Sequence, residues 1–213
     1  MNRPLTHKIN VAIDGPAGAG KSTVARLVAE KLGYIYVDTG AMYRTVTLKA
    51  LRDGADLKDA AALRRIAERL DIKLLPESGG QRVLMDGEDV TEKIRSAEVT
   101  AAVSTVASVP EVRRILVKLQ QDMALRRGVV MDGRDIGTNV MPDAEVKVFM
   151  TASVRVRAER RWKEIRGQDP KATVESLMEA IERRDRADSE RETSPLRRAD
   201  DALLLDTSHI SAE

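Results

Sequence analysis

INVAIDGPAGAGKST, Ile9 to Thr23, decides the fold. Ile9 to Ile13 is an apolar run of strand length, stopped by Asp14. Gly15, Gly20, Lys21 and Ser22 then fit the spacing G-x-x-x-x-G-K-[ST], and TVARLVAEKLG reads as a helix closing on Gly33. A strand, a glycine-rich turn and a helix in this order turn backbone N–H groups inward and aim the positive end of the helix at the same point. That is a cradle for phosphate. The loop runs through Pro16, Ala17, Gly18 and Ala19 to Thr23; Lys21 has the reach for the β- and γ-oxygens of ATP, and the Ser22 hydroxyl can ligate Mg²⁺. The plain alternative is an ordinary glycine-rich turn, and the flanking strand and helix weigh against it.

Outward from the loop the same alternation continues. YIYVD is a second strand, and TGAMYRTVTLKAL a second helix with Thr39 placed to cap it. Strand, helix, strand, helix is the signature of a parallel sheet with crossover helices. Residues 70–92 break the pattern: DIKLL, PESGG and QRVLMDGEDV read as three short strands and two hairpin turns, with Asp86-Gly87 the stronger turn signal. SAEVTAAVSTVASV and PEVRRILVKLQQDMALRRG are helical, the second opened by Pro110. GVVMD and EVKVFM return to strand patterns, SVRVRAERRWKEIRG and TVESLMEAIERRDRADSERE are basic helices, and ALLLDT is a last strand. The closing SHISAE resembles a helix start with no helix behind it.

Composition narrows the chemistry. The 213 residues allow one sizeable domain, with 42% hydrophobic residues and five aromatics, so the core is built from aliphatic side chains. Without cysteine there are no disulfides, thiolate nucleophiles or Cys-based zinc sites. His7 and His209 lie near the two ends of the chain, so a central histidine base is not expected. No stretch approaches the length of a membrane span, and no signal-peptide pattern opens the chain, which reads as cytoplasmic and independent of membranes. A formal charge of +2 from 36 basic and 34 acidic residues is no footprint for nucleic acid. Of the basic residues 25 are Arg, whose planar fork grips phosphate oxygens in pairs.

Triphosphate binding leaves several functions open. No N-K-x-D base-reading motif of a signalling GTPase is present, and an ATPase motor needs more chain. Small-acceptor kinases remain. Four stretches bear on the acceptor. DTGAMYR places Arg44 one helical turn beyond a strand's carboxyl end, where ligands bind in such sheets. VVMDGRDIGT puts Asp132, Arg134 and Asp135 directly after a third strand on the same edge. RRDRADSER and RVRAERRWKEIR are charged helices whose ordinary reading is a solvated face.

Together IDGPAGAGKST, DTGAMYR, DGEDVTEKIR, VVMDGRDIGT and RRDRADSERETSPLR resemble the bacterial cytidylate kinases, within the nucleoside monophosphate kinase superfamily, from about Ile9 to Thr207. The resemblance implies an α/β fold: a P-loop kinase core with a parallel sheet flanked by helices, a small three-stranded antiparallel insert in the part that binds the monophosphate, and a short lid. The core would be about 1–38, 128–155 and 172–213, the monophosphate-binding part about 39–127, and the lid about 156–171.

The same resemblance implies roles. Lys21, Arg134 and Arg184 look catalytic, and Arg44, Arg134 and Arg184 look like a clamp on the acceptor phosphate. Asp188 and Arg191 resemble the pair that holds the ribose hydroxyls; Ser104, Arg113 and Asp135 are similar to residues that read the cytosine edge, with Thr39 and Tyr43 beside them in the CMP site. Arg157, Arg160 and Arg161 fall where lid-side arginines meet the donor phosphates. Mg²⁺ would accompany ATP on Ser22, with Asp132 reaching it through water. The expected partners are ATP and CMP or dCMP, the expected assembly a monomer. UMP, AMP or an alcohol such as shikimate are rival acceptors, and a nucleotide-binding regulatory or RNA-associated module is a rival class.

Overall fold

The computed structural model describes residues 8–77, 80–167 and 169–210. Its main sheet has five parallel strands in the order β2-β6-β1-β7-β8: β1 (Val11–Asp14), β2 (Ile35–Asp38), β6 (Val129–Gly133), β7 (Val146–Thr151) and β8 (Leu203–Asp206). Strand residues alternate between faces; both faces of the central β1 and β6 are covered, while the edge strand β8 stays exposed. Ala12, Val37, Val129 and Met131 pack with Ile136, Val140 and Met141 on one side. Val11, Ile13, Val130 and Met150 pack with Ala19, Ala25 and Ala29 on the other. Continuous apolar strands are what such a doubly covered parallel sheet requires.

The helices are α1 (Lys21–Leu32), α2 (Thr39–Arg52), α3 (Ala60–Arg69), α4 (Ala97–Ser108), α5 (Pro110–Ala124), α6 (Val154–Ile165) and α7 (Val174–Glu190). Gly33 closes α1 in the left-handed region (φ 65°), as its position predicts. Thr39 does not cap α2. The cap is Asp38, whose carboxylate accepts from Ala41 N, while Thr39 is the first helical residue and its hydroxyl donates to Asp132 O. Asp is a cap as good as Thr, and one residue decided between them. Asp132 likewise lies inside β6 rather than after it. Helix α3 and a π turn at Ile136–Val140 have no counterpart in the sequence reading.

The antiparallel insert is present as β3 (Ile72–Glu77), β4 (Gly80–Met85) and β5 (Glu88–Asp89). Asp86 (φ 50°) and Gly87 (φ 85°) are both left-handed, the combination a tight two-residue hairpin demands. The first hairpin's turn residues, 78–79, and His7, Gln168 and the end of SHISAE lie outside the described residues. With α2 to α5 the insert closes over its own core, centred on Met42, Val46, Leu63, Val83, Ile94 and Leu116. No helix among the described residues is long and apolar enough to cross a membrane.

Candidate active site

The parallel register aligns the carboxyl ends of β1, β2 and β6: Asp14 pairs with Gly133, and Asp38 with Asp132. Ligands of open α/β sheets bind at such an edge, and two loops meet there. The first leaves β1. Gly15 adopts φ 147°, and a Cβ at this position would fall 2.0 Å from Met150 O, so only glycine fits. Gly20 stands at the N-cap of α1. Lys21 is buried and donates from Nζ to Pro16 O at 2.8 Å. Burial, chiefly, and the Arg134 charge push its ammonium down to about 7, against the pull of Asp132 and Asp14.

Ser22 Oγ donates to Asp132 Oδ2 (2.9 Å), and Tyr36 OH donates to Asp132 Oδ1 (2.8 Å). Burial first, then the Asp38 charge, push Asp132 up to about 6. A hydroxyl and a carboxylate side by side form the oxygen donor set that Mg²⁺ prefers. No cluster of three or more acidic or histidine ligands occurs among the described residues.

Helix α6 packs directly on this loop: a Cβ at Gly18 would come within 3.1 Å of Arg157 Cβ. Arg157 is buried and bonds protein on three sides, donating to Ala152 O (2.9 Å), Ala17 O (3.1 Å) and Asp185 Oδ2 (2.7 Å). Arg160 donates to Thr207 Oγ1 and O; that hydroxyl in turn donates to Ala19 O. Arg161 pairs with Glu164 on the exposed side of the helix. Of the three expected donor-side arginines, two thus brace the loop's backbone and one points to solvent. The segment 156–171 starts within α6, and Trp162 Nε1 donates across its turn to Ala172 O at 3.1 Å.

The second loop follows β6. Gly133 is needed there because a Cβ would sit 2.6 Å from Ile136 Cδ1 and 2.7 Å from Thr39 Oγ1. A cleft opens between this loop, α2, α4, α5 and α7. Its lining includes Thr39, Tyr43, Arg44, Ser104, Arg113, Arg134, Asp135, Arg184, Asp188 and Arg191. Every residue expected in the acceptor site is therefore in one place, joined by Gly40, Val103, Ala107 and Gly133.

Its electrostatics are lopsided. Arg44, Arg134 and Arg184 crowd one side. Burial first, and then the charges of neighbouring arginines, push Arg44 and Arg184 down to about 10. Arg44 donates to Ile94 O and Thr100 Oγ1, Arg134 Nε donates to Asp188 Oδ2 at 2.8 Å, and Arg184 Nε has no partner. Arg113 and Asp135 form a buried pair (Nη2–Oδ2 2.5 Å), with the Arg113 guanidinium 5.3 Å over the Tyr43 ring. Arg113 Nε is buried without a hydrogen-bond partner, and Arg191 Nη2 faces Asp135 Oδ1 at 3.6 Å, beyond hydrogen-bond reach.

Besides Tyr36 and Thr207, further residues with structural claims on the site were not anticipated. Asp14 accepts from Ile136 N and Gly137 N, and Asp185 holds Arg157. Gln81 of the insert accepts from Asp38 N and donates to Tyr36 O, pinning the insert to the sheet edge, while Arg95 donates to Asp38 Oδ2. Asp14 stands inside the opening motif, so its signal was available; the others sit in ordinary charged or hairpin sequence.

The family model for cytidylate kinases matches residues 11–213. A cytidylate kinase of Bacillus velezensis is 55% identical over 207 residues, which cover 97% of this chain and 92% of that protein. Those of Exiguobacterium sp. and Bacillus subtilis are 53% and 52% identical over 209 residues, covering 98% of this chain and 93% of theirs. Among solved structures, a shikimate kinase from Bacteroides thetaiotaomicron shares 14% identity at a TM-score of 0.46, covering 92% of this chain and 85% of that one.

Proposed function

The chain belongs to the cytidylate kinase family, and on that premise we propose that it transfers the terminal phosphoryl group of ATP to CMP and dCMP, giving CDP and dCDP. We place it in pyrimidine nucleotide metabolism, as a cytoplasmic monomer. The observation that carries this reading is the cleft in which three clustered arginines face a buried Arg113–Asp135 pair, beside the phosphate loop.

Chemistry of this kind needs positioning and charge stabilisation more than a base. The acceptor is already an anion near neutral pH, which suits a chain whose one described histidine, His209, lies at its end. Lys21 would turn from Pro16 O to the β- and γ-phosphates when ATP enters the loop. Mg²⁺ bound with ATP would neutralise phosphate charge, with Ser22 as ligand and Asp132 reaching it through water. Arg44, Arg134 and Arg184 would clamp the acceptor phosphate, the last two also facing the group in flight. Asp188 and Arg191 would hold the ribose. The residues 156–171 would cover the donor side and exclude water. Arg161 would turn from Glu164 toward the donor phosphates, while Arg157, held by Ala152 O, Ala17 O and Asp185, would serve them by bracing the loop that binds them.

Base choice follows from hydrogen-bond polarity. Cytosine offers an N4 amino donor beside N3 and O2 acceptors, which suits a carboxylate at Asp135 and a guanidinium at Arg113. Uracil has O4 and N3–H at two of these places, and would oppose oxygen to carboxylate and N–H to guanidinium. An unpaired buried polar group costs about 1–3 kcal/mol, and sites built on such bonds reject the wrong partner by roughly 10⁴. The test is ADP release with ATP and Mg²⁺ over a panel of nucleoside monophosphates and shikimate. CMP and dCMP should lead by orders of magnitude. A rate independent of any acceptor would favour a nucleotide-binding regulator, and UMP turnover within a few-fold of CMP would overturn the base assignment.

A further inference from the structure

We propose that Asp14 is a positioning residue for cytosine recognition: it caps the π turn after β6 from a neighbouring strand, which leaves the Asp135 carboxylate free to face Arg113. The inference rests on the proposed role of Asp135 in reading the base.

A turn that starts just after Asp135 presents N–H groups without partners of its own, and the residue ahead of it normally supplies the cap. Asp135 has the right side chain and the right place. It makes no cap bond; its carboxylate is turned to Arg113 Nη2 (2.5 Å) and Asn139 Nδ2 (3.1 Å) instead. The orphan N–H groups of Ile136 and Gly137 are taken by Asp14, one on each oxygen, at 2.8 and 2.7 Å.

Asp14 can reach them because the parallel register of β1 and β6 sets it beside Gly133. It is 5% exposed and forms no ion pair with any described residue. Burying a carboxylate in this way is costly unless hydrogen bonds hold it, and a short polar side chain at Asp135 could have capped locally at less expense. Space is tight as well, since a Cβ at Gly137 would lie 3.4 Å from Asp14 Oδ2. With Asp14 lost, the natural substitute cap is Asp135 itself, and a carboxylate that turns to the backbone abandons Arg113.

The experiment compares CMP and UMP kcat/KM in wild type, Asp14→Asn, Asp135→Ala and the double variant. An amide at position 14 can accept through one oxygen only and sets an NH₂ against the other N–H. The CMP-over-UMP ratio should fall by about tenfold or more in Asp14→Asn, since misplacement by an ångström costs up to ~10²-fold. Any change in KM for ATP through the neighbouring Lys21 is common to both acceptors and cancels in that ratio. On the Asp135→Ala background the same change should leave the ratio where Asp135→Ala put it. If Asp14→Asn lowers stability or kcat for both nucleotides equally, with the ratio intact, Asp14 is merely structural and the inference fails. If Asp135→Ala itself leaves the ratio intact, the base-reading assignment fails instead. Should Asp14→Asn not fold, Asp14→Glu, which keeps the charge and displaces the oxygens, carries the same expectation.

Discussion

Arg113 Nη2 and Asp135 Oδ2 lie 2.5 Å apart, on side chains of which 3% and 6% is exposed, and the pair joins α5 to the loop after β6. Removing one member of a buried pair leaves an uncompensated charge, at a cost of about 3–5 kcal/mol, whereas replacing both with apolar groups of similar volume is often neutral. Asp135 also faces Arg191 Nη2 at 3.6 Å, so Asp135→Ala, which strands two buried guanidinium groups, should lower the urea midpoint markedly. Arg113→Met with Asp135→Leu, which still leaves Arg191 unpaired, should recover only part of the loss. Selectivity for CMP should vanish in both. A double variant that keeps the CMP preference would remove the pair from base recognition.

Arg44, Arg134 and Arg184 crowd together, and burial with the neighbouring arginine charges lowers Arg44 and Arg184 to about 10, while Asp188 answers Arg134. An anion relieves that repulsion. Inorganic phosphate, and CMP more strongly, should raise Tm; a ligand at 100 times its Kd adds about 2.7 kcal/mol. Arg184→Met should match or exceed the wild type in stability without ligand and lose most of the CMP-induced rise. Differential scanning fluorimetry decides it, and an unchanged CMP shift in the variant would release Arg184 from the clamp.

What could be read from the sequence divides along physical lines. The opening motif announced itself because its glycines are stereochemical necessities: Gly15 has Met150 O where a Cβ would be. The hairpin insert was legible for the same reason at Asp86-Gly87. The acceptor residues were gathered through resemblance, since nothing in RRDRADSER as a charge pattern tells Arg184 and Asp188, turned inward, from Arg183, which pairs with Glu179 on an exposed face. Long-range bonds were illegible. Gln81 reaches β2 from 43 and 45 residues away, and Asp14 meets Ile136 across 122, separations that no local pattern encodes.

Trp162, the chain's single tryptophan, is an internal reporter of the segment expected to act as a lid. Its indole donates to Ala172 O, and the Arg166 guanidinium stands 5.2 Å over its ring. Closure over two nucleotides should draw Arg166 or the turn toward phosphate and change this setting. CMP with a non-hydrolysable ATP analogue should shift the emission intensity, and Arg166→Ala should shrink the response. Fluorescence unmoved by saturating ligands would make Trp162 a static brace between α6 and residue 172.

The last prediction concerns the proton on Lys21. Without nucleotide its ammonium is buried beside Arg134 and titrates at about 7, against an ordinary 10.5. At pH 8 the neutral form of Lys21 is then favoured in the unliganded enzyme. Triphosphate oxygens favour the charged form and raise the pKa again, so binding at pH 8 should take up protons. Calorimetry of a non-hydrolysable ATP analogue with Mg²⁺, in Tris and in HEPES, measures this through the difference in buffer heats. Lys21→Met should abolish the uptake. The sign for stability runs the other way from an ordinary salt bridge: a lysine whose folded pKa is depressed opposes folding while it is protonated, and that opposition fades as pH rises from about 7 toward 10.5. Lys21→Met should therefore fold at least as stably as the wild type at pH 7 while losing several powers of ten in kcat, each about 1.4 kcal/mol of barrier. A variant that loses stability together with activity would make Lys21 a structural residue, and proton uptake that persists in the variant would move the titration to Asp132 or Asp14, the buried carboxylates beside it.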